Sequence, residues 1–193
     1  AAVSIHNAQF REIQLNYFTH TIELLVQALE GTTVARDHLR NVARYSGMIA
    51  RRLNIDEAGR KQIYFAALLH DIGMIRVPAG QQHDPESHRR HPLLGAELVS
   101  RITLWQDLVP LIQYHHENLD GSGYPAGLAG EAIPVGARII AIAESFDAMT
   151  NPHSYQIGRS FDEAFTDLRR NAGRRYDPKL VEIFETEFRA QAE

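Results

Sequence analysis

The chain has 193 residues, which suits one ordinary domain with a helical extension. It contains no cysteine, which excludes disulfides and thiolate metal sites, and no apolar run of about 18 residues, which excludes a transmembrane helix within this sequence. Its net charge of -4 does not favour a DNA or RNA polymer as partner.

The basic residues are nearly all arginine, because the only lysines are Lys61 and Lys179. A cation that binds phosphate is therefore expected to be an arginine or a metal ion. The sequence starts Ala1-Ala2, without Met and without a signal-peptide pattern. We therefore expect a fragment of a longer protein or a tag remnant, with an upstream domain outside the sequence.

The first predicted helix lies near the N-terminus and stops at Gly31. Its apolar residues repeat at spacings of three and four, as on one helix face. They are Leu15, Phe18, Ile22, Leu25 and Leu29. An amphipathic helix packed on its own domain is favoured over a dimerising coiled coil, because the stripe spans only about two heptads. We therefore divide the chain into a linker or dimerisation helix, residues 1–31, and a main domain, residues 32–193.

Two further helices are predicted before residue 71. Thr32 or Thr33 can cap the second helix, which runs to about Leu53. Its inward positions are His38, Val42, Tyr45 and Ile49. Asp56 can cap the third helix, which ends before Gly73. Its inward stripe is Ile63, Ala67 and His70, followed directly by Asp71.

The middle of the chain alternates between loops and short helices. Residues 74–90 are polar and loop-like, and Pro92 suits the first turn of the next helix, with His91 at its entrance. A short helix is expected from about residue 107 to residue 116. Residues 118–133 are rich in glycine and form a loop.

The last third of the chain contains three predicted helices. Pro134 opens the first of them, Ser160 and Glu163 form a capping box for the second, and Asp177-Pro178 starts the third. No segment has the pattern of a strand, so the predicted architecture is a single all-α bundle.

Histidine and aspartate recur at helix ends and on inward faces, where they form a candidate metal-binding set. Its members are His38, His70, Asp71, His91, His115, His116 and Asp147. Each residue alone has a structural explanation, such as a hydrogen-bonded core histidine. As a set they indicate a metal, because a buried carboxylate needs a cation. Imidazoles and carboxylates without thiolate suit Fe, Mn, Ni or Zn, and a bridging carboxylate would hold two ions about 3.5–4 Å apart.

The order of these residues resembles that of the HD superfamily of metal-dependent phosphohydrolases. The segment His116-Glu117-x-x-Asp120-Gly121-Ser122-Gly123-Tyr124-Pro125 resembles the signature of the HD-GYP branch. Further matching segments are 66–73, His91-Pro92 with Gly95, Ile133-Pro134, Ala137-Arg138-Ile139, Asp147-Ala148-Met149-Thr150 and Asp177-Pro178 with Val181. The resemblance covers about residues 36–185.

The resemblance implies a bundle of seven to eight helices that hydrolyses cyclic di-GMP, a bacterial second messenger, to linear pGpG and/or GMP. It implies one metal ion held by His38, His70, Asp71 and Asp147, and a second ion held by His91, His115 and His116, with Asp71 as the bridge. The ions would activate the attacking water, which gives His70 and Asp71 the catalytic role. Fe or Mn is favoured, with Ni and Zn as alternatives.

The loop Gly121–Pro125 resembles a segment that the family uses to contact GGDEF-type diguanylate cyclase domains. The alternative is that this loop only covers the rim of the site. Glu117 can orient a ligand histidine, and Asp120 can shape the loop through backbone hydrogen bonds.

The phosphate-binding positions depart from the family pattern. Val34 stands where members with a third metal carry Glu, so we predict two metals. Met74 stands where the family has a lysine that contacts the scissile phosphate, and Arg76 is the candidate replacement. The stretch from His70 to His91 is shorter than in the family, which predicts a more open cleft. Glu144 stands where the family has Asp.

The family's recognition segment is also changed. His153 and Gln156 replace two arginines that flank Pro-Tyr in the family, although Tyr155 is kept. Arg159 is the nearby substitute, so Arg76, Tyr155 and Arg159 are the predicted substrate contacts. The metal ligands are thus complete while the phosphate contacts are depleted.

Three functions therefore stay open. The first is a di-metal cyclic di-GMP phosphodiesterase. The second is a weak or inactive signalling module that binds metal and docks on GGDEF partners. The third is a phosphohydrolase of another cyclic or linear dinucleotide. A cytoplasmic location is expected because these substrates are intracellular. The chain could belong to a longer response-regulator or membrane-tethered protein. A homodimer is an open alternative.

Overall fold

A computed structural model of the chain describes residues 13, 16–27, 37–78, 80–81, 84–151 and 158–191. These residues fold into α-helices joined by loops and short 3-10 segments, as the all-α prediction required. Within the described ranges the β-type pairing is limited to two isolated bridges, Asp120–Ala129 and Ala172–Tyr176. The helices are α1 (16–27), α2 (His38–Arg51), α3 (Glu57–Leu69), α4 (Pro85–Arg89), α5 (His91–Ser100), α6 (Val109–Gln113), α7 (Val135–Thr150), α8 (Phe161–Arg170) and α9 (Pro178–Ala190).

The core is centred on α2, which packs against α3, α7 and α9. Phe146 of α7 is fully buried and contacts the rings of Phe165 and Phe184 at centroid distances of 4.7 and 4.9 Å. Tyr45 of α2 closes this aromatic cluster, 5.2 Å from Phe146. Such close aromatic packing holds α2, α7, α8 and α9 in fixed relative positions.

Helix α1 packs on the main core. Ile22 and Val26 are buried there, and the Phe18 ring lies 4.5 Å from the ring of Phe65. This confirms the favoured interpretation of an amphipathic helix packed on its own domain. Leu15, Leu29 and Gly31 lie outside the described residues. The proposed division at residue 31 stays a prediction.

Several helix boundaries follow the predicted caps. The Asp56 side chain accepts a hydrogen bond from the Gly59 N–H at 2.8 Å, and Asp177 accepts one from Lys179 at 3.0 Å. Ser160 and Glu163 form the predicted capping box at α8. The proposed caps Thr32 and Thr33 lie outside the described residues.

Residues 74–90 are more ordered than predicted. A 3-10 segment occupies Ile72–Arg76, and Asp84 caps the short helix α4 by accepting from Ser87 N–H at 2.8 Å. A Cβ on Gly73 would collide with the His91 carbonyl and lie 2.6 Å from the Gly95 nitrogen. This close approach brings the end of α3 against the start of α5. Residues 79, 82 and 83 lie outside the description.

Among the helices that the structure describes, none combines the length and apolarity that a membrane span needs.

Candidate metal centre

The seven predicted metal ligands are all described, and the fold brings them together from five segments. Two groups stand out, each with its candidate ligand atoms within 4.8 Å of one another. The first group is His38, His70 and Asp71, and the second is His91, His115 and His116.

Asp71 lies between the two groups. Its Oδ1 is 3.2 Å from His91 Nε2, while its Oδ2 is 3.6 Å from His70 Nε2 and 4.0 Å from His38 Nε2. One carboxylate oxygen thus faces each group, which is the arrangement that a bridging carboxylate requires. Burial favours the neutral acid, but the imidazoles of His70 and His91 hold the pKa of Asp71 below its usual value.

Three of the histidines are fixed by their own backbone. His70 Nδ1 lies 2.8 Å from the Ala67 carbonyl oxygen, and the Nδ1 atoms of His91 and His115 lie 2.7 and 2.6 Å from the carbonyl oxygens of His88 and Ile112. A nitrogen this close to a carbonyl must donate, so the proton is on Nδ1. The lone pair of each Nε2 is therefore directed into the site, as in metal-binding histidines.

The Nε2 atoms of the second group are placed as if around a cation. Those of His91 and His115 lie 3.1 Å apart, although both are acceptors in this tautomer. Two nitrogens about 2.0–2.1 Å from one ion would lie roughly 3.0–3.4 Å apart. A shared proton is disfavoured at neutral pH, because burial lowers the pKa of His91 to about 4 and that of His115 well below its usual value.

Two further nitrogens lack a hydrogen-bond partner. The Nε2 atoms of His70 and His116 are buried and make no hydrogen bond in the described structure. Burial lowers the pKa of His116 to about 3, so this ring is neutral and offers a lone pair. Buried polar atoms without a partner are costly, and a metal ion would satisfy them. The residues therefore fit two divalent ions.

Asp147 is fully buried and contacts His38. Its Oδ2 lies 2.7 Å from His38 Nδ1, and its Oδ1 accepts from Asn151 Nδ2 at 2.6 Å. Burial lowers the pKa of His38, but the hydrogen bond to Asp147 and the charge of Asp71 outweigh it, so the net pKa is raised. Asp147 thus orients His38, and its role as a direct ligand stays a prediction.

Glu144 also lies at the site, although the sequence indicated only that it stands where the family has Asp. Its Oε1 lies 3.8 Å from His116 Nε2, and burial together with the charge of Asp71 raises its pKa to about 8. The available signal was its position three residues before Asp147, which places both side chains on one face of α7.

Glu117 anchors the loop after His116 and does not orient a histidine. Its buried carboxylate accepts backbone N–H bonds from Ala126 at 2.7 Å, Gly127 at 3.1 Å and Leu128 at 3.1 Å. The Tyr124 ring stacks on the ring of His116 at 4.8 Å. The loop is therefore fixed against the second ligand group.

Asp120 shapes the tip of the same loop, as predicted. Its Oδ1 accepts from the backbone N–H of Ser122 at 2.9 Å and from its hydroxyl at 2.6 Å. Ser122 itself is exposed.

The predicted substrate contacts are engaged elsewhere or undescribed. Arg76 pairs with Glu97 at 3.0 Å, and Arg159 lies 3.7 Å from Asp167. Tyr155 falls outside the described residues, as do His153 and Gln156. Met74 is half-buried and offers no charge. The roles of Arg76, Tyr155 and Arg159 stay predictions.

Comparison with protein families gives a match to the HD domain over residues 21–180. Among curated proteins, the chain is 37% identical over 178 residues to the cyclic di-GMP phosphodiesterase response regulator RpfG of Xanthomonas campestris, covering 84% of this chain and 46% of the relative. It is 33% identical over 186 residues to a cyclic di-GMP phosphodiesterase of Thermotoga maritima, covering 87% and 50%. It is 33% identical over 156 residues to the 3'3'-cGAMP-specific phosphodiesterase 2 of Vibrio cholerae, covering 76% and 30%. The chain thus spans half or less of the length of these relatives.

Solved structures share the fold at low sequence identity. A cyclic GMP-AMP-specific phosphodiesterase of Vibrio cholerae superposes with a TM-score of 0.68 at 21% identity, covering 87% of this chain and 48% of that chain. The HD domain of PgpH from Listeria monocytogenes, in complex with cyclic di-AMP, gives 0.59 at 14% identity, covering 87% and 94%. These likenesses support the all-helical bundle and, with the family match, confirm the resemblance drawn from the motifs.

Proposed function

This chain belongs to the HD domain family and to its HD-GYP type, and we propose that it is a metal-dependent phosphodiesterase of cyclic dinucleotides. Cyclic di-GMP is the first proposed substrate, with pGpG and/or GMP as products. The observation that carries the proposal is the convergence of imidazole Nε2 atoms on both sides of Asp71, with His91 and His115 Nε2 only 3.1 Å apart.

The residues of the site have distinct proposed roles. His38, His70, Asp71 and Asp147 would hold one ion, and His91, His115 and His116, together with Asp71, would hold the other. Bound there, two divalent ions, with Fe or Mn favoured and Ni or Zn as alternatives, would lower the pKa of a water and neutralise charge on the phosphoryl group. Burial lowers the pKa of His70, His91 and His115 and keeps these rings neutral, while their Nδ1 hydrogen bonds direct Nε2 into the site.

A related substrate is the first alternative. Some relatives act on 3'3'-cGAMP according to their names, and Met74 removes the cation that the cyclic di-GMP pattern supplies. A cyclic or linear dinucleotide other than cyclic di-GMP is therefore included in the proposal as a second substrate class.

A signalling module of low activity is the second alternative. Its support is that Arg76, the expected replacement for the family lysine, is already paired with Glu97 at 3.0 Å. Such a module would dock on GGDEF-type domains through the loop Gly121–Pro125. The loop suits docking because Glu117 and Asp120 order its backbone while Ser122 is exposed.

The assembly and location are also proposals. Tyr17 and Leu24 of α1 are 74% and 66% exposed, on the side of the helix opposite its buried residues, and this supports a homodimer through α1. A cytoplasmic location follows from the proposed substrate, because cyclic dinucleotides are intracellular messengers.

The proposal is tested by turnover and metal content in one sample. Protein purified without oxygen and loaded with Fe(II) or Mn(II) is given cyclic di-GMP, 3'3'-cGAMP and pGpG, and the products are separated by chromatography. We expect two metals per chain and hydrolysis of at least one cyclic dinucleotide. Asp71→Asn should lower turnover at least about a hundredfold, because it weakens the bridge on which both ions depend.

The matched control is Asp107→Asn, an exposed carboxylate bonded to Gln62 at 2.8 Å, which should keep wild-type turnover. Two metals with no product from any substrate would refute the enzyme and favour the signalling module. Undiminished hydrolysis by Asp71→Asn would refute the assigned roles.

A further inference from the structure

One face of the site contains an arginine that no sequence motif indicated. The guanidinium carbon of Arg89 lies 4.9 Å from the centre of the Tyr124 ring, and that ring stacks on His116. Arg89 is the last residue of α4 and precedes His91 by two positions. It is therefore placed near the second ligand group, two residues before His91 in the chain and on the ring that stacks on His116.

A second arginine, Arg175, lies in the turn between α8 and α9, which contacts the loop that carries Tyr124. The Arg175 carbonyl accepts from the Leu119 N–H at 3.1 Å, which ties this turn to the loop that carries Tyr124. The Arg175 guanidinium lies 5.2 Å from the centre of the Tyr176 ring. Burial raises the pKa of both Tyr124 and Glu144, and the positive charge of Arg175 opposes this rise in each. Arg175 is therefore within electrostatic range of the site.

Among the described residues, neither charge is neutralised by a carboxylate. No described Asp or Glu lies within 4.0 Å of Arg89 or Arg175, and both side chains are exposed. Arg76 and Arg159, the arginines proposed from the sequence, do have such partners. An arginine stays charged at every accessible pH, and its fork of N–H donors matches a phosphate. The unpaired arginines are thus better prepared to bind an anion than the paired ones.

We propose that Arg89 and Arg175 bind a phosphate of the dinucleotide at the rim formed by Tyr124, on the side of His91, His115 and His116. They supply the positive charge that Met74 does not supply. The stacking of Arg89 on Tyr124 restricts the guanidinium before substrate arrives, which lowers the entropy lost on binding. This proposal rests on the proposed function, because it assigns the phosphate contacts of that same site.

The test is equilibrium binding of a hydrolysis-resistant phosphorothioate analogue of cyclic di-GMP to the metal-loaded protein. Arg89→Ala and Arg175→Ala should each raise Kd about tenfold, the usual loss for a charged hydrogen bond at a partly exposed site. Arg90→Ala and Arg174→Ala are the matched controls, since each removes the same charge one position away. These controls should change Kd by no more than about twofold, the effect of a screened distant charge.

Inorganic phosphate is the second probe, which separates this proposal from the proposed function. If the wild type binds no dinucleotide, the proposed function fails, and phosphate binding alone then decides the role of the arginines. Selective loss of either probe in Arg89→Ala and Arg175→Ala supports the proposal. Affinities for both probes equal to those of the controls overturn it, and so does the failure of every one of the proteins to bind either probe.

Metal content is counted in every variant. All four variants should keep two ions per chain, because none of the substituted residues is a ligand. A loss of metal confined to Arg89→Ala and Arg175→Ala would mean that these arginines act on the metal site, and it would also overturn the assignment to phosphate.

Discussion

At the scale of single residues, the imidazole tautomers decide what the site can bind. His70, His91 and His115 each donate Nδ1–H to a backbone carbonyl three residues earlier. The helical periodicity of Ile63, Ala67 and His70 indicated that His70 faces inward, but no pattern in the sequence could indicate which nitrogen donates. That choice depends on the local backbone path at each helix end, which forms only when the chain packs.

Substrate residues were harder to predict than ligands for a related reason. In the HD pattern the metal ligands are His and Asp in a fixed order, so the sequence restricts them strongly. An arginine can bind phosphate from many positions, and which one is free depends on its neighbours in space. Glu97 pairs with Arg76 because the 3-10 segment packs on α5, whereas Arg89 contacts Tyr124 and has no carboxylate partner in the described structure.

Glu144 gives the metal-free protein a measurable pH dependence. Its pKa is about 8 in the folded state, because of burial and the charge of Asp71, and 4.5 when unperturbed. Between these values the folded state binds the extra proton, so the free energy of unfolding falls as pH rises. Glu144→Gln should abolish this pH dependence. The free energy of unfolding of the variant minus that of the wild type should therefore rise by about 1 kcal/mol per pH unit between pH 6 and 8.

Urea denaturation of metal-free protein at pH 6, 7 and 8 measures this difference. Glu131→Gln, which changes an exposed carboxylate in the nearby loop, is the control and should show no such trend. A difference between Glu144→Gln and wild type that stays constant with pH would contradict the assignment. In metal-loaded protein the trend should vanish, because nearby cations favour the ionised carboxylate.

At the scale of elements, the sequence specified helices where local signals act over a few residues. The cap at Asp56 and the box at Ser160 depend on contacts three residues apart, so they could be predicted directly. The 3-10 segment Ile72–Arg76 and the short helix α4 were missed, because each is about one turn long and lacks an apolar period. Glu117 illustrates the same limit, since its partners lie nine to eleven residues away in a loop.

Helix α1 gives a test that distinguishes its two faces. Ile22 is fully buried on the core, whereas Leu24 on the other side is 66% exposed. Ile22→Ala should therefore lower the free energy of unfolding by about 2–4 kcal/mol, through lost burial and the cavity left behind. In dilute protein, where no second copy covers α1, Leu24→Ala should change it by less than about 0.5 kcal/mol, as for an ordinary surface site.

The measurement is urea denaturation of the wild type and both variants at two protein concentrations, one high and one low. Equal and small effects would mean that α1 does not contribute to the folding unit. A large effect of Leu24→Ala that shrinks as the protein is diluted would instead indicate that its exposed face is covered by a second copy.

At the scale of the whole molecule, the candidate metal centre joins segments that are far apart in sequence. Its candidate ligands extend from His38 at the start of α2 to Asp147 near the end of α7, and Asp71 lies close to histidines of both groups. The order of the ligands could be read from the sequence, and so could the all-helical class. The distances between the candidate ligand atoms could not be predicted, because they depend on how the aromatic cluster around Phe146 sets the angles between helices.

Metal binding should therefore stabilise the entire domain. Without a cation, the facing lone pairs of His91 and His115 and the unpartnered Nε2 atoms of His70 and His116 oppose folding. A ligand that binds only the folded state contributes about 4.1 kcal/mol at a thousand times its Kd. For a domain of this size, that corresponds to a rise in Tm of about 8–16 °C.

Calorimetry of chelator-treated protein, before and after Mn(II) is restored, measures the rise. His115→Ala removes a ligand nitrogen and should lose most of it, whereas Asp107→Asn should keep it. Equal Tm values for stripped and reloaded wild-type protein would show that the imidazoles do not bind metal, because a site built from five segments cannot take up ions without stabilising the packing that assembles it.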